Sequence, residues 1–159
     1  MNSYVISEDT ATPKLEQIIR DMQGVEFERV IDAGLPVLLD AAVKNAPHDQ
    51  GDLKSSITSE TTRTSPVIVE GVVGSKLFYA PSQEYGTGVF AGKSPHWPPS
   101  GALDDWARRH GIPNGYLVAR AIGLRGGLKP KGFFKQALEE REVAAVDEVQ
   151  TAFQRIITK

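Results

Sequence analysis

The 159-residue sequence predicts an α+β fold, and three observations carry that expectation. Apolar residues recur at three- and four-residue steps through residues 13–46, which is helical spacing. Two short stretches, 53–60 and 67–74, alternate apolar with polar residues or are rich in valine and isoleucine, as strands are. From residue 133 to the end the helical spacing returns. Helices, then strands, then helices is the order of an α+β chain rather than of an alternating α/β one.

Taken in order, residues 1–12 are polar and aperiodic and read as a flexible N-terminal arm. Thr12-Pro13 reads as a helix start, with Thr12 as cap and Pro13 at the first helical position. Leu15, Ile18, Ile19 and Met22 continue the pattern, and Phe27, Val30, Ile31, Leu35, Leu38, Leu39, Ala42, Val43 and Ala46 extend it. Gly24 and Gly34-Leu35-Pro36 weaken the middle, since a proline inside a helix costs about 3 kcal/mol. The apolar phase survives across Pro36, so a kinked or two-piece helix ending at Ala46-Pro47 is expected.

His48-Asp49-Gln50-Gly51-Asp52 has the composition of a turn. Leu53 to Glu60 is expected as a half-buried strand, Thr61 to Ser65 as a loop, and Pro66 as the first residue of a second strand reaching Gly74. The two strands make the simplest antiparallel hairpin. Residues 86–100 contain three glycines and three prolines and read as a long surface excursion. Ser100 is expected to cap a short helix through Leu103, Trp106 and Ala107, stopped by Gly111 and Pro113. A further helix over about 114–125 stops at Gly126-Gly127. Phe133, Phe134, Ala137, Leu138, Ala145, Val149, Ala152, Phe153 and Ile156 mark a long amphipathic C-terminal helix. Residues 13–159 are expected to form a single domain.

Composition narrows the function. Hydrophobic residues are 40% and charged residues 24%, the balance of an ordinary globular chain. With no cysteine there is no disulfide, thiolate ligand or cysteine nucleophile. The formal charge of −2 lacks the basic excess usual in duplex-DNA binders. No stretch reaches the roughly 18 apolar residues of a membrane span, so no membrane partner is expected. The start, Met1-Asn2-Ser3-Tyr4, lacks a signal peptide's basic flank and apolar run, which makes synthesis in the cytoplasm the default. Charge is unevenly spread: Trp106 to Lys135 holds seven basic residues (Arg108, Arg109, Arg120, Arg125, Lys129, Lys131, Lys135) and no acidic one. Such segregation favours contact between unlike faces, although solvated side chains would give the same pattern.

No constellation for catalysis emerges, and no cofactor or metal is expected. His48, His96 and His110 are scattered without metal-ligand spacing. Asp49 and Asp52 are too few for a calcium loop, which needs at least about six oxygen ligands. Asp104 and Asp105 are adjacent in a helix and point in different directions. Gly86-Thr87-Gly88 lacks the Gly-Lys-Ser/Thr that completes a phosphate loop. Ser55, Ser56 and Ser94 have no evident general base nearby. The chain is therefore expected not to be an enzyme.

Several short elements fall in a distinctive order. Ala46-Pro47-His48-Asp49-Gln50-Gly51-Asp52-Leu53-Lys54-Ser55-Ser56-Ile57 is followed, after Gly74-Ser75, by Tyr79-Ala80-Pro81-Ser82-Gln83-Glu84-Tyr85-Gly86-Thr87-Gly88. Pro98-Pro99, Leu103, Trp106, then Gly126-Gly127-Leu128-Lys129-Pro130 with Phe133-Phe134 and Ala137-Leu138 complete the series. Over roughly residues 30–140 this order resembles the tail-completion or neck (head–tail joining) proteins of long-tailed bacteriophages, the tail components also described as minor tail protein Z-like. The residues of the signature are Pro47, Gly51, Leu53, Tyr79, Gly86 and Thr87. Gln50 departs from the family's usual threonine before the glycine. Tyr79 and Tyr85 are expected to pin the following loop on the sheet. Glu84 either caps a turn or pairs with a local arginine, or else contacts a neighbouring subunit.

The resemblance implies a structural virion protein of the neck or tail, forming a ring, six-fold by expectation, with other copies of itself. Its implied partners are the connector or head-completion proteins and the tail-terminator or tail-tube proteins, with nonspecific contact to packaged DNA as a further expectation. A ring needs two different patches on each subunit. The candidate interface residues are Glu84, Tyr85, Val89, Phe90, Trp97, Arg108, Arg109, Arg125, Lys129 and Lys131. The 86–100 excursion is the candidate arm, with Val89, Phe90 and Trp97 as anchors. The alternative reading is a small host-directed nucleic-acid-binding or toxin-like module.

Overall fold

The computed structural model describes residues 11–23, 25–65 and 68–158. Seven α-helices (α1 Ala11–Gln23, α2 Val25–Asn45, α3 Asp52–Ser56, α4 Ala80–Tyr85, α5 Asp104–Arg109, α6 Gly115–Leu124, α7 Phe133–Ile157) accompany one two-stranded antiparallel sheet among those residues. Its strands are β1 Ile57–Ser65 and β2 Ile68–Ser75. The fold is α+β, as the periodicity requires. Its contacts divide into two units, one made of residues 1–41, 58–74 and 140–159, the other of 42–57 and 75–139.

The first unit is built on α2. Val30 and Leu35 are buried, and Gly71 of β2 lies so close to Ile31 and Leu35 that a Cβ there would stand 2.8 Å from each. Gly34 brings α2 against α7, where a Cβ would meet the Ala145 carbonyl oxygen and the Val149 side chain at 2.7 Å. Glycine in mid-helix costs about 1 kcal/mol in propensity; here it permits a backbone approach that no larger residue allows. Arg63 of β1 donates to Glu28 at 3.1 Å, and the Thr61 hydroxyl bonds the Asp32 carboxylate, which tie strand to helix. Helix α1 keeps Leu15 and Ile19 largely exposed.

The buried hydrophobic residues of the second unit are mostly alanines. Phe133 is fully buried, with Ala42, Ala46, Leu53, Ile57, Ala80, Ala107, Ala119 and Ala137 buried in the same unit.

Four details differ from the sequence expectations. Ala11 and Thr12 already lie in α1, so Thr12 is not its cap; Pro13 is tolerated because first-turn N–H groups need no helical partner. Helix α2 runs through Pro36, which sits on the exposed side where water can serve the freed carbonyl. The weakening expected at Gly24 lies outside the described residues, as do residues 1–10 and Pro66. Residues 53–56 are helical rather than extended, because Leu53 and Ile57 are four apart and both buried, a spacing that one helical turn satisfies as well as a strand does. The Ser55 and Ser56 hydroxyls close that turn on the carbonyls of Asp52 and Leu53. Thr61 to Ser65 continue β1 instead of looping, with Thr61, Arg63 and Ser65 half-buried and Thr62 and Thr64 exposed. Four of those five side chains carry a hydroxyl, and the threonines among them are β-branched, which suits a half-covered pleated surface.

Candidate assembly surface

The signature residues form the frame of the second unit. After Pro47 the chain turns at Gly51, whose φ of 97° is left-handed and which precedes α3 without a side-chain cap. Leu53 enters the core, and the Ser56 and Ser75 hydroxyls meet at 2.7 Å. Asp49 accepts from Arg109 at 2.7 Å, while the His110 ring stacks on Trp106 at 3.9 Å. Tyr79 lies half-buried at the start of α4 with its ring edge-on to Phe78. Desolvation, and then the charges of Asp52 and Asp49, raise its phenol above the ordinary value of 10.0.

Glu84 is 6% exposed, and its burial is explained by the start of α7. Its two carboxylate oxygens accept from the Phe134 and Lys135 N–H groups at 2.9 and 3.1 Å. These are free donors of the first helical turn, and the residue before the helix is Gly132, which has no side chain to cap them. A carboxylate reaching across from α4 fills that role and complements the positive end of the helix dipole. The Lys131 and Gly132 N–H groups in turn donate to the Gln83 and Glu84 carbonyls. Of the readings open for Glu84, a backbone-capping role matches these contacts, with α7 rather than a turn as the recipient.

The 86–100 excursion is held down along its first half. The Thr87 N–H donates to the Leu128 carbonyl and its hydroxyl accepts from the Leu128 N–H, both at 2.9 Å. The N–H groups of Val89 and His96 converge on the Gly126 carbonyl. Gly88 has φ 60°, and a Cβ there would fall 1.9 Å from the Gly126 oxygen, so only glycine fits this crossing. A 3₁₀ turn over Gly88–Ala91 follows, and residues 92–97 are exposed.

The sequence candidates therefore divide. Val89 lies against Gly126, Lys129 stands over the Phe90 ring at 6.0 Å, and Trp97 lies flat on Gly123, where a Cβ would be 2.2 Å from the indole. Trp97 is still 56% exposed, with Gly123 under one part of the ring. Tyr85 is 70% exposed, whereas Tyr79 is half-buried. Arg108 pairs with Asp105 and Arg109 with Asp49, while Arg125, Lys129 and Lys131 are exposed.

The outer face of α6 lies outside the set of sequence candidates. Asn114 caps this helix by accepting from the Leu117 N–H at 3.2 Å, and Gly115, Ala119 and Gly123 are buried. The adjoining side exposes Tyr116, Arg120 and Leu124, four residues apart, with Leu117 beside them. Their four-residue spacing is visible in the sequence, but apolar spacing alone does not distinguish a covered stripe from an open one. Charge is divided between the units as well. The first carries 14 Asp or Glu against 7 Lys or Arg, formally −7; the second carries 6 against 11, formally +5.

No helix among the described residues is long and apolar enough to cross a membrane. Residues 9–86 match the family described as "Bacteriophage HK97-gp10, putative tail-component", so over that part of the chain the phage tail-component resemblance read from the motifs is borne out. The matched part includes α1 to α4 and both strands, and with them every signature residue except Thr87. No curated protein and no solved structure matches the chain.

Proposed function

We propose that this protein is a structural subunit of the phage neck or tail that completes the tail, or joins it to the DNA-filled head, by assembling in a ring with copies of itself and other neck proteins. The observation that carries the reading is the tail-component match over residues 9–86, the region whose turn and helices build the frame described above. The arrangement suits a part that works by contact. Its polar side chains are engaged in capping and tying the backbone: Glu84 on α7, Thr87 on residue 128, Asn114 on α6. In this reading the protein performs no catalytic step, resides in the virion, and meets the connector side and the tail side as neighbours.

The experiment is electron microscopy of lysates from a phage carrying a nonsense codon early in this gene. Full heads beside separate tails, or tails of abnormal length, are the expected outcome. Normal infectious particles would overturn the reading and favour a host-directed nucleic-acid-binding module.

A further inference from the structure

Two exposed helix faces in this chain are complementary. On α6, Tyr116, Arg120 and Leu124 stand one turn apart, with Leu124 69% exposed. Arg120 and the following Arg125 have no acidic partner among the described residues, and no Asp or Glu occurs from 106 to 138. On α7, Val143 and Asp147 are one turn apart, as are Glu142 and Val146, and Val143 is 75% exposed. Glu142 and Asp147 have no basic partner among the described residues. Each stripe is a short apolar ridge flanked by charge of one sign, and the signs are opposite. At 1.5 Å per residue α6 is about 15 Å long and the 142–147 stripe about 9 Å, so the acidic stripe fits within the length of α6.

We propose that the outer face of α6 docks on the 142–147 face of α7 in a second copy of this chain. The idea rests on the assembly role argued above and names the contact that role would use. Leu117 and Leu124 argue for a protein counterpart rather than a nucleic acid, because phosphates cover no aliphatic surface and a polynucleotide would leave these leucines in water. The chain itself argues for a copy as the counterpart: it carries the matching acidic ridge, and both ridges are open to solvent in the single chain. Each subunit then offers one socket and one plug. The contact is heterologous, the class that generates rings or open filaments rather than closed dimers. Burying the leucines and valines supplies the non-directional attraction, and the charges select register and partner.

The test is charge exchange in the full chain, read by sedimentation velocity over a range of concentrations and salt. The wild type is expected to associate with concentration and to weaken as salt rises. Arg120→Glu with Arg125→Glu, and separately Glu142→Arg with Asp147→Arg, are each expected to weaken association more than about tenfold, since like charges then face each other. All four positions are exposed, and unchanged circular dichroism and melting temperature verify folding. Mixing the two variants makes every α6–α7 contact complementary again and is expected to restore association. A wild type that stays monomeric throughout, or a mixture that stays as weak as its components, overturns the proposal. So does an arginine variant that associates normally but loses retention of duplex DNA, which would mark α6 as a phosphate-binding face. The nonsense-codon phenotype is a separate readout. Junction-defective particles with failed charge exchange leave the neck role standing without this interface, and successful exchange with normal particles does the reverse.

Discussion

Glu84 connects two parts of the chain 50 and 51 residues apart, taking the Phe134 and Lys135 N–H groups with a carboxylate that is itself buried. A glutamine has one acceptor oxygen, and its amide would face a backbone donor. Glu84→Gln is therefore expected to destabilise the protein by about 1–3 kcal/mol, measured by urea unfolding. Tyr79 leads to a pH prediction at the same scale. Its folded pKa is raised above 10.0, first by burial and then by Asp52 and Asp49, so its contribution is fully present below pH 10. It is lost as the pH climbs from there through the folded value, because the unfolded state ionises first. Tyr79→Phe is expected to flatten this alkaline loss of stability in a series of melts across pH 9 to about 12.

Among the elements, glycines determine how closely backbones approach. Gly34→Ala adds helix propensity of about 1 kcal/mol but drives a methyl into the Ala145 carbonyl oxygen at 2.7 Å. Backbone oxygen cannot swing aside as a side-chain end does, so overpacking outweighs propensity. A net loss of roughly 1–2 kcal/mol is expected in thermal melts. Gly123→Ala meets a movable ring instead, the indole of Trp97. There the propensity gain offsets much of the cost, and the readout is optical: Trp97 emission, isolated in a Trp106→Phe background, is expected to shift to the red as the ring leaves α6.

For the whole molecule, the division of charge into units of −7 and +5 would make the proposed assembly electrostatically selective. The 86–100 excursion can be tested at this scale. Phe90→Ala with Trp97→Ala is expected to leave a folded subunit that fails to incorporate into particles, checked by complementing the nonsense phage. The excursion's first half is tied to residues 126 and 128 by the backbone, so its fold survives loss of those rings. Incorporation at the normal level would remove these aromatics from the assembly contact.

Much of the fold is legible in the chain itself. Period-3.6 spacing locates the helices around 25–45, 115–124 and 133–157, because residues three and four apart share one helix face and a repeat at those steps suits no strand. Pro47, Gly51, Tyr79 and Gly86 are legible through their order, as each marks a backbone demand that few residues meet. What local pattern does not decide is the partner of each group. Leu53 and Ile57 fit a helical turn or a strand equally, and only the burial of both together with the serine bonds to the preceding turn selects the helix. Glu84 displays its charge but not its destination, since the donors it serves lie 50 residues away. The α6 ridge has the pattern of any amphipathic stripe, and folding leaves it uncovered. Sequence determines periodicity and backbone tolerance, which are local energies; capping across the chain and exposure of a face depend on which distant segments pack together, and those only the tertiary structure decides.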